Sequence, residues 1–144
     1  MDTELGQNSA AALRGGIVPY LNLDGAGKAA DFYKRAFGAD EIARMPGAAD
    51  GRLIHCHLVL NGNSLMLSDP FPEHGHPAQT PAAFTLHLQV DDIDAWFRRA
   101  VAAGATVLMP VSKQFWGDLY GRLRDPFGVS WSIGQTPKDQ AKAR

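Results

Sequence analysis

The sequence predicts an α+β fold in which two similar modules surround a central cavity. An order of strand, helix and further strands occurs twice, and a proline-rich stretch separates the two copies. Polar and apolar residues also alternate along several of the predicted strands. The length of 144 residues and the hydrophobic fraction of 45% are those of a globular chain with a real core.

The first copy starts with a strand and continues into a helix and a hairpin. Residues 17–23 are predicted to form an edge strand or a strand start, because Pro19 cannot donate a ladder hydrogen bond. Gly38 is expected to end the helix that follows. The runs 53–60 and 64–67 are predicted to pair, because an Asn-Gly turn joins them. The apolar residues at helical spacing are Ala29, Phe32, Tyr33, Ala36 and Phe37.

The second copy repeats this order. Residues 84–90 alternate as a strand, Asp91 or Asp92 is predicted to cap a helix, and Gly104 is expected to end it. The predicted buried stripe of this helix is Ile93, Trp96, Phe97, Ala100 and Val101. The remaining predicted strands are residues 107–111, 120–124 and 129–133.

Composition sets the predicted boundaries. We predict a first module over residues 16–69 and a second over residues 84–134, joined by the proline-rich linker 70–83. The ends are predicted to be loose: a disordered tail over residues 1–15 and a second tail over residues 135–144. A small sheet with a helix on its outer face leaves the inner face uncovered, and pairing two such modules encloses that face as a cavity.

Net charge and cysteine content exclude several classes of binding partner and several cellular locations. A formal net charge of −1 leaves no surplus of cations for nucleic acid or for an anionic membrane surface. No run approaches the ~20 apolar residues of a membrane span, and the N-terminus lacks the basic start of a signal peptide. Cys56 is the single cysteine, so no internal disulfide exists, and a cytoplasmic location is expected.

Several separated motifs resemble one superfamily. The chain resembles the glyoxalase, bleomycin resistance and dioxygenase proteins, also called vicinal oxygen chelate proteins, and within them the PhnB-like branch. The resemblance implies two βαβββ modules, which form a curved mixed sheet or half-barrel around the cavity, and a homodimer. The motifs are Pro19-Tyr20-Leu21, Asp31-Phe32-Tyr33-Lys34, Gln114-Phe115-Trp116-Gly117-Asp118 with Tyr120-Gly121, and Arg124-Asp125-Pro126-Phe127-Gly128.

Enzymes of this superfamily hold a divalent metal with one ligand from each of four strands. The shared motifs imply that the four positions here are Val18, His57, Thr85 and Ser132. Only His57 is a competent ligand, so no resident metal or other cofactor is predicted. A divalent metal held by His57 with His55 or His87 stays open as an alternative, because neutral imidazoles bind zinc, iron, nickel or copper readily.

Strand alternation predicts a polar inner face that binds a small molecule. The alternate residues, such as Ile54, Cys56 and Trp131, are expected to face the helices. His57 and His55 are also candidates for general acid or base catalysis. The predicted inner set is Tyr20, Asn22, His55, His57, Thr85, His87, Gln89, Ser130 and Ser132.

Aromatic and basic residues extend the predicted pocket. Trp116 and Tyr120 are expected at the cavity mouth, as a ligand wall or as packing against the rim, whereas Phe115 is expected in the core. Arg122 and Arg124 should face the same side, where Arg122 binds an anionic group of the ligand or forms a surface ion pair. The turn that begins at Asp125 is interpreted as structural.

The leading hypothesis is a metal-independent small-molecule binding protein or enzyme whose reaction the sequence does not specify. One alternative is a metal-dependent lyase or dioxygenase that uses His57 with His55 or His87. The other is an antibiotic-sequestering protein that binds without chemistry; the near-zero net charge does not favour the acidic groove that a cationic drug needs.

Overall fold

A computed structural model describes residues 12–138 of the chain. The predictions for residues 1–11 and 139–144 lie outside the described residues. The chain divides into two compact units: the residues up to Lys34 with Gly38–Gln79, and Arg35–Phe37 with the residues from Thr80 onward. No helix among residues 12–138 has the length and apolar character that a membrane span requires.

The first unit contains a mixed four-stranded sheet with the order β1-β4-β3-β2. Strand β1 runs parallel to β4, and the other neighbours are antiparallel. Asn61 and Gly62, at φ 51° and 81°, form the tight turn between β3 and β4, which confirms the predicted hairpin. The elements are β1 (Tyr20–Asn22), α1 (Ala26–Phe37), β2 (Asp40–Pro46), β3 (Leu53–Leu60) and β4 (Asn63–Ser68).

The second unit repeats this topology with the order β5-β8-β7-β6, in which β5 is parallel to β8. The predicted α+β fold of two βαβββ modules is therefore confirmed. The strands form two open four-stranded sheets and no closed barrel within residues 12–138. The elements are β5 (Leu86–Gln89), α2 (Ile93–Ala103), β6 (Thr106–Lys113), β7 (Leu119–Arg124) and β8 (Ser130–Gln135).

Buried carboxylates fix the ends of several elements. Asp69 accepts hydrogen bonds from the backbone N–H groups of Gly25 (2.8 Å) and Ala26 (3.0 Å), where α1 begins. Its second oxygen accepts from the N–H of Leu53 at 2.7 Å, at the start of β3. This carboxylate therefore ties the helix start to the sheet by satisfying donors that would otherwise be orphaned. In the second unit, Asp92 caps α2 in the usual way, by accepting from Ala95 N.

Both predicted helix stops are confirmed, and one predicted buried position is wrong. Gly38 adopts a left-handed conformation directly after α1, and Gly104 follows α2 with a φ of 124°. Ile93 and Ala100 on α2 are buried as predicted. Val101 is 41% exposed, because the buried side of this helix is narrower than the apolar pattern suggested.

A β-bulge in β3 overturns the predicted orientation of Ile54. Met45 pairs with His55, but the next residue of β2, Pro46, pairs with Leu53, so Ile54 is an extra residue without a partner. The bulge turns Leu53 into the core and leaves Ile54 55% exposed. Cys56 and Trp131 are buried as predicted.

Candidate functional site

The second unit carries a polar sheet face on strands β5, β7 and β8. His87 of β5 is level with Ser132 of β8, which is level with Arg122 of β7. One step along, Gln89 lies beside Gly134, and Gly134 lies beside Tyr120. Directly paired residues point to the same side of a sheet, so these side chains share one face.

His87 is the centre of a hydrogen-bonded group on this face. Its Nδ1 lies 2.7 Å from Ser132 Oγ, and its Nε2 lies 2.8 Å from Gln89 Oε1. Gln89 Nε2 in turn donates to Thr136 Oγ1 at 2.8 Å. Because a carbonyl oxygen only accepts, neutral His87 carries its proton on Nε2 and accepts from the Ser132 hydroxyl on Nδ1. Both ring nitrogens are therefore occupied.

Gly134 makes room for this group. A Cβ at position 134 would lie 2.8 Å from Gln89 Oε1 and 2.9 Å from His87 Cε1, closer than side chains tolerate. The imidazole and the amide thus pass directly over the glycine backbone. Any larger residue at position 134 would displace both side chains.

Arg122 organises the other end of the same face. Its Nη2 donates to Thr85 Oγ1 at 3.3 Å and to Ser130 Oγ at 3.2 Å, and the two hydroxyls are 3.1 Å apart. Its Nε is buried without a hydrogen-bond partner. Neither Arg122 nor Arg124 forms an ion pair with any residue between 12 and 138, so the surface ion pair considered for Arg122 has no partner in this part of the chain.

A cleft of about 690 Å³ opens beside these arginines. It is lined by segment 80–85 and by residues of β7, of β8 and of the turn between these two strands. The lining residues are Thr80, Pro81, Ala82, Ala83, Phe84, Thr85, Arg122, Arg124, Gly128 and Ser130.

Aromatic rings continue the face from His87 toward the loop before β7. The Tyr120 ring stacks on the His87 ring with centroids 5.9 Å apart and planes at 17°. Trp116 meets Tyr120 edge-on at 5.7 Å. Trp116 is 38% exposed, whereas Phe115, expected in the core, is 97% exposed because it lies at the tip of the turn between β6 and β7. Trp116 and Tyr120 therefore form a half-open wall next to the imidazole.

The sharp turn after β7 supports the face from beneath. Asp125 is buried and accepts hydrogen bonds from the backbone N–H groups of Phe127 (2.8 Å) and Val129 (3.0 Å). Its other oxygen accepts from Trp131 Nε1 at 2.9 Å. These bonds fix the start of β8, and with it the positions of Ser130 and Ser132.

The first unit holds the other predicted histidines in two different environments. His57 is 2% exposed, and its Nε2 lies 2.8 Å from Ser64 Oγ, which also accepts from the backbone N–H of Arg14. Burial lowers the pKa of His57, with further lowering by the charges of His55 and Arg14. His55 is only half-buried, and its Nδ1 lies 3.2 Å from the Tyr20 hydroxyl.

A second cleft, of about 540 Å³, lies in the first unit near Asn22. Asn22 Nδ2 donates to the carbonyl oxygen of Pro77 at 3.2 Å, and its Oδ1 is buried without a partner. Neither His55 nor His57 lines this cleft. The lining residues are Tyr20, Asn22, Gly47, Ile54, Ser68, Asp69, Phe71, His74 and His76.

The residues at the four superfamily metal positions do not fit a metal. Val18 has no donor atom, and the hydroxyls of Thr85 and Ser132 are engaged by Arg122 and His87. His57 Nε2 is held by Ser64 in a buried position. Neither unit, within the described residues, brings together three His, Cys, Asp or Glu side chains that could share a metal ion.

The structure distributes the predicted site residues between the two units. Tyr20, Asn22, His55 and His57 belong to the first unit, and the other predicted residues belong to the second. That all of them share one cavity stays a prediction. Sequence reasoning missed Ser64, Gly134 and the lining role of Arg124. The spacing of His57 and Ser64 across the Asn-Gly hairpin was the available signal for the first of these.

The repeated β1-β4-β3-β2 order and the polar sheet faces define a protein of the paired βαβββ class. The sequence matches the family model of the Glyoxalase/Bleomycin resistance protein/Dioxygenase superfamily over residues 17–133, and the chain belongs to this superfamily. The uncharacterized protein Mb0911c of Mycobacterium bovis is 46% identical over 129 residues, which are 85% of this chain and 84% of that protein.

Solved structures show the same fold. Protein PA1353 of Pseudomonas aeruginosa superposes with a TM-score of 0.71 at 29% identity, over 87% of this chain and 98% of that chain. The PhnB protein from Bacillus cereus superposes with a TM-score of 0.66 at 25% identity, over 85% and 100% of the two chains. The resemblance to the superfamily and to PhnB-like proteins is therefore confirmed.

Proposed function

We propose that this protein binds a small organic molecule on the polar face of its second module and does so without a resident metal ion. The observation that carries the proposal is a single polar face with the hydrogen-bonded group of His87 and an aromatic wall toward one end. Toward the other end, Arg122 lines a cleft of about 690 Å³, which His87 itself does not line. Polar groups held in a fixed arrangement beside a concave surface are typical of ligand sites.

The proposal of metal independence rests on the residues themselves. The side chains at the superfamily's metal positions are a valine, a threonine and a serine besides His57. The nitrogens of His87 both have partners on the sheet face, so a metal would have to break an existing bond to use them. His55 and His57, which belong to the first unit, are the predicted candidates for general acid or base catalysis.

A thermal-shift screen of small organic molecules, run with and without EDTA, tests this function. We expect saturable stabilisation by at least one compound, unchanged by EDTA and weakened in His87→Gln. Arg98→Gln, at an exposed position of α2 that lines neither cleft, serves as the control. Failure of every compound to stabilise the protein would remove the binding proposal.

Metal analysis of protein purified without chelator tests the proposal that the protein holds no resident metal ion. We expect no divalent ion in stoichiometric amount. One tightly bound ion per chain that is lost in His57→Ala would instead support a metal-dependent lyase or dioxygenase.

A further inference from the structure

We propose that the cleft beside Arg122 and Arg124 takes a small organic anion, with its carboxylate or similar oxyanion at the two guanidinium groups. This inference rests on the proposed binding function and names the chemical class of the ligand.

The first support is uncompensated positive charge. Arg122 is half-buried and Arg124 is exposed, they are two residues apart on β7, and both line the cleft. No carboxylate between residues 12 and 138 forms an ion pair with either of them. The nearest acidic residue in sequence, Asp125, turns its oxygens toward its own turn and toward Trp131. A partly buried guanidinium without an anion is costly unless a ligand supplies one.

The second support is preorganisation. Thr85 and Ser130 each accept a hydrogen bond from Arg122 Nη2, which fixes the guanidinium plane at the cleft. Nη1 has no partner among the described residues. Because Nη2 is engaged and Nε is buried, Nη1 is the nitrogen of Arg122 that can donate a charge-assisted hydrogen bond to an oxyanion. The guanidinium of Arg124, which lines the same cleft, can contact a second oxygen.

The third support concerns the body of the ligand. Several residues that line the cleft with the arginines are apolar, namely Pro81, Ala82 and Phe84, of which Phe84 is 42% exposed. Ala83 in the same segment has a φ of 66°, a conformation that a non-glycine residue adopts only where its surroundings impose it. A cleft of about 690 Å³ that is lined by two arginines and by apolar residues fits an organic anion better than a bare inorganic ion.

Benzoate is the probe for the cleft. Benzamide, which has a similar shape but no charge, and inorganic phosphate, which has charge but no apolar body, are the controls. Binding to the full-length protein is followed by calorimetry and by the melting temperature. We expect benzoate to bind more tightly than benzamide or phosphate, and to bind more weakly as salt rises.

Substitution of the arginines locates the binding. Arg122→Gln should weaken benzoate binding by about tenfold to a hundredfold, because charge-assisted hydrogen bonds are lost. Arg122→Lys should weaken benzoate binding less than Arg122→Gln does. Arg124→Gln should also weaken benzoate binding, although it leaves the contacts of Arg122 with Thr85 and Ser130 in place. Arg98→Gln, which removes the same charge from the exposed side of α2, is the matched control and should bind as the wild type does.

The outcomes separate this inference from the proposed function. Equal binding of benzoate and benzamide, or equal effects of Arg122→Gln and Arg98→Gln, would overturn the anion site while small-molecule binding stands. If phosphate binds as tightly as benzoate, the proposal that the cleft prefers an organic anion is overturned. If neither these probes nor any compound of the wider screen binds, the proposed function fails as well.

Discussion

Gly134 offers a direct way to disturb the His87 group without touching its polar atoms. In Gly134→Ala the new Cβ would lie 2.8 Å from Gln89 Oε1, so the amide must retreat by about 0.6 Å to reach the 3.4 Å at which ordinary contacts begin. Such a shift breaks or weakens one or two hydrogen bonds, at about 1 kcal/mol each. Alanine also lowers the conformational entropy of the unfolded chain, and this offsets about 0.5–1 kcal/mol of the lost stability.

We therefore expect Gly134→Ala to lower the free energy of unfolding by at most about 1.5 kcal/mol, measured by urea denaturation. Nitrogen chemical shifts of the imidazoles provide a second readout, since neutral His87 should carry its proton on Nε2 in the wild type and lose this preference in the variant. Gly16→Ala is the control, because a Cβ there meets nothing within 4 Å. If the two variants have the same stability and the same His87 spectrum, the packing of His87 over Gly134 is refuted.

Three further predictions concern stability and assembly. Asp125→Asn should destabilise the protein by about 1–3 kcal/mol, because one buried donor loses its acceptor; urea denaturation against the exposed Asp91→Asn checks this. Burial lowers the pKa of His57 in the folded protein from its ordinary 6.5. The contribution of neutral His57 to stability is therefore present above pH 6.5, and it is lost as the pH falls through the lowered pKa. The difference in stability between wild type and His57→Gln should therefore shrink between pH 7.5 and pH 5.5, whereas a constant difference would contradict the shift. Light scattering should give a homodimer, twice the 15.5 kDa of one chain, and a mass of one chain would contradict it.

Local signals explain why the fold was predictable. Gly38 and Gly104 ended their helices, and Asn61-Gly62 formed the expected hairpin turn, because each conformation is set by a few adjacent residues. The side of the strand to which alternate residues point is also set locally, by the period of two. Strand alternation thus placed His87, Ser130 and Ser132 on one face from sequence alone.

The features that were wrong or missed depend on contacts between distant residues. The bulge at Ile54 arises from the pairing of β3 with β2, and no signal within β3 marks it. Phe115 was expected in the core because it is aromatic, but the turn between β6 and β7 carries it outward. Whether Arg122 forms an ion pair depends on which carboxylates the fold brings near it. The alternation of residues along β7 does not predict this.

Backbone NMR of chelator-treated protein titrated with benzoate tests most directly where the ligand binds and whether a metal is needed. Saturable shifts are expected in residues 83–89, 120–124 and 130–134, with no divalent ion present. Shifts that appear only after a divalent ion is restored, and that centre on His57 in the first unit, would contradict the account.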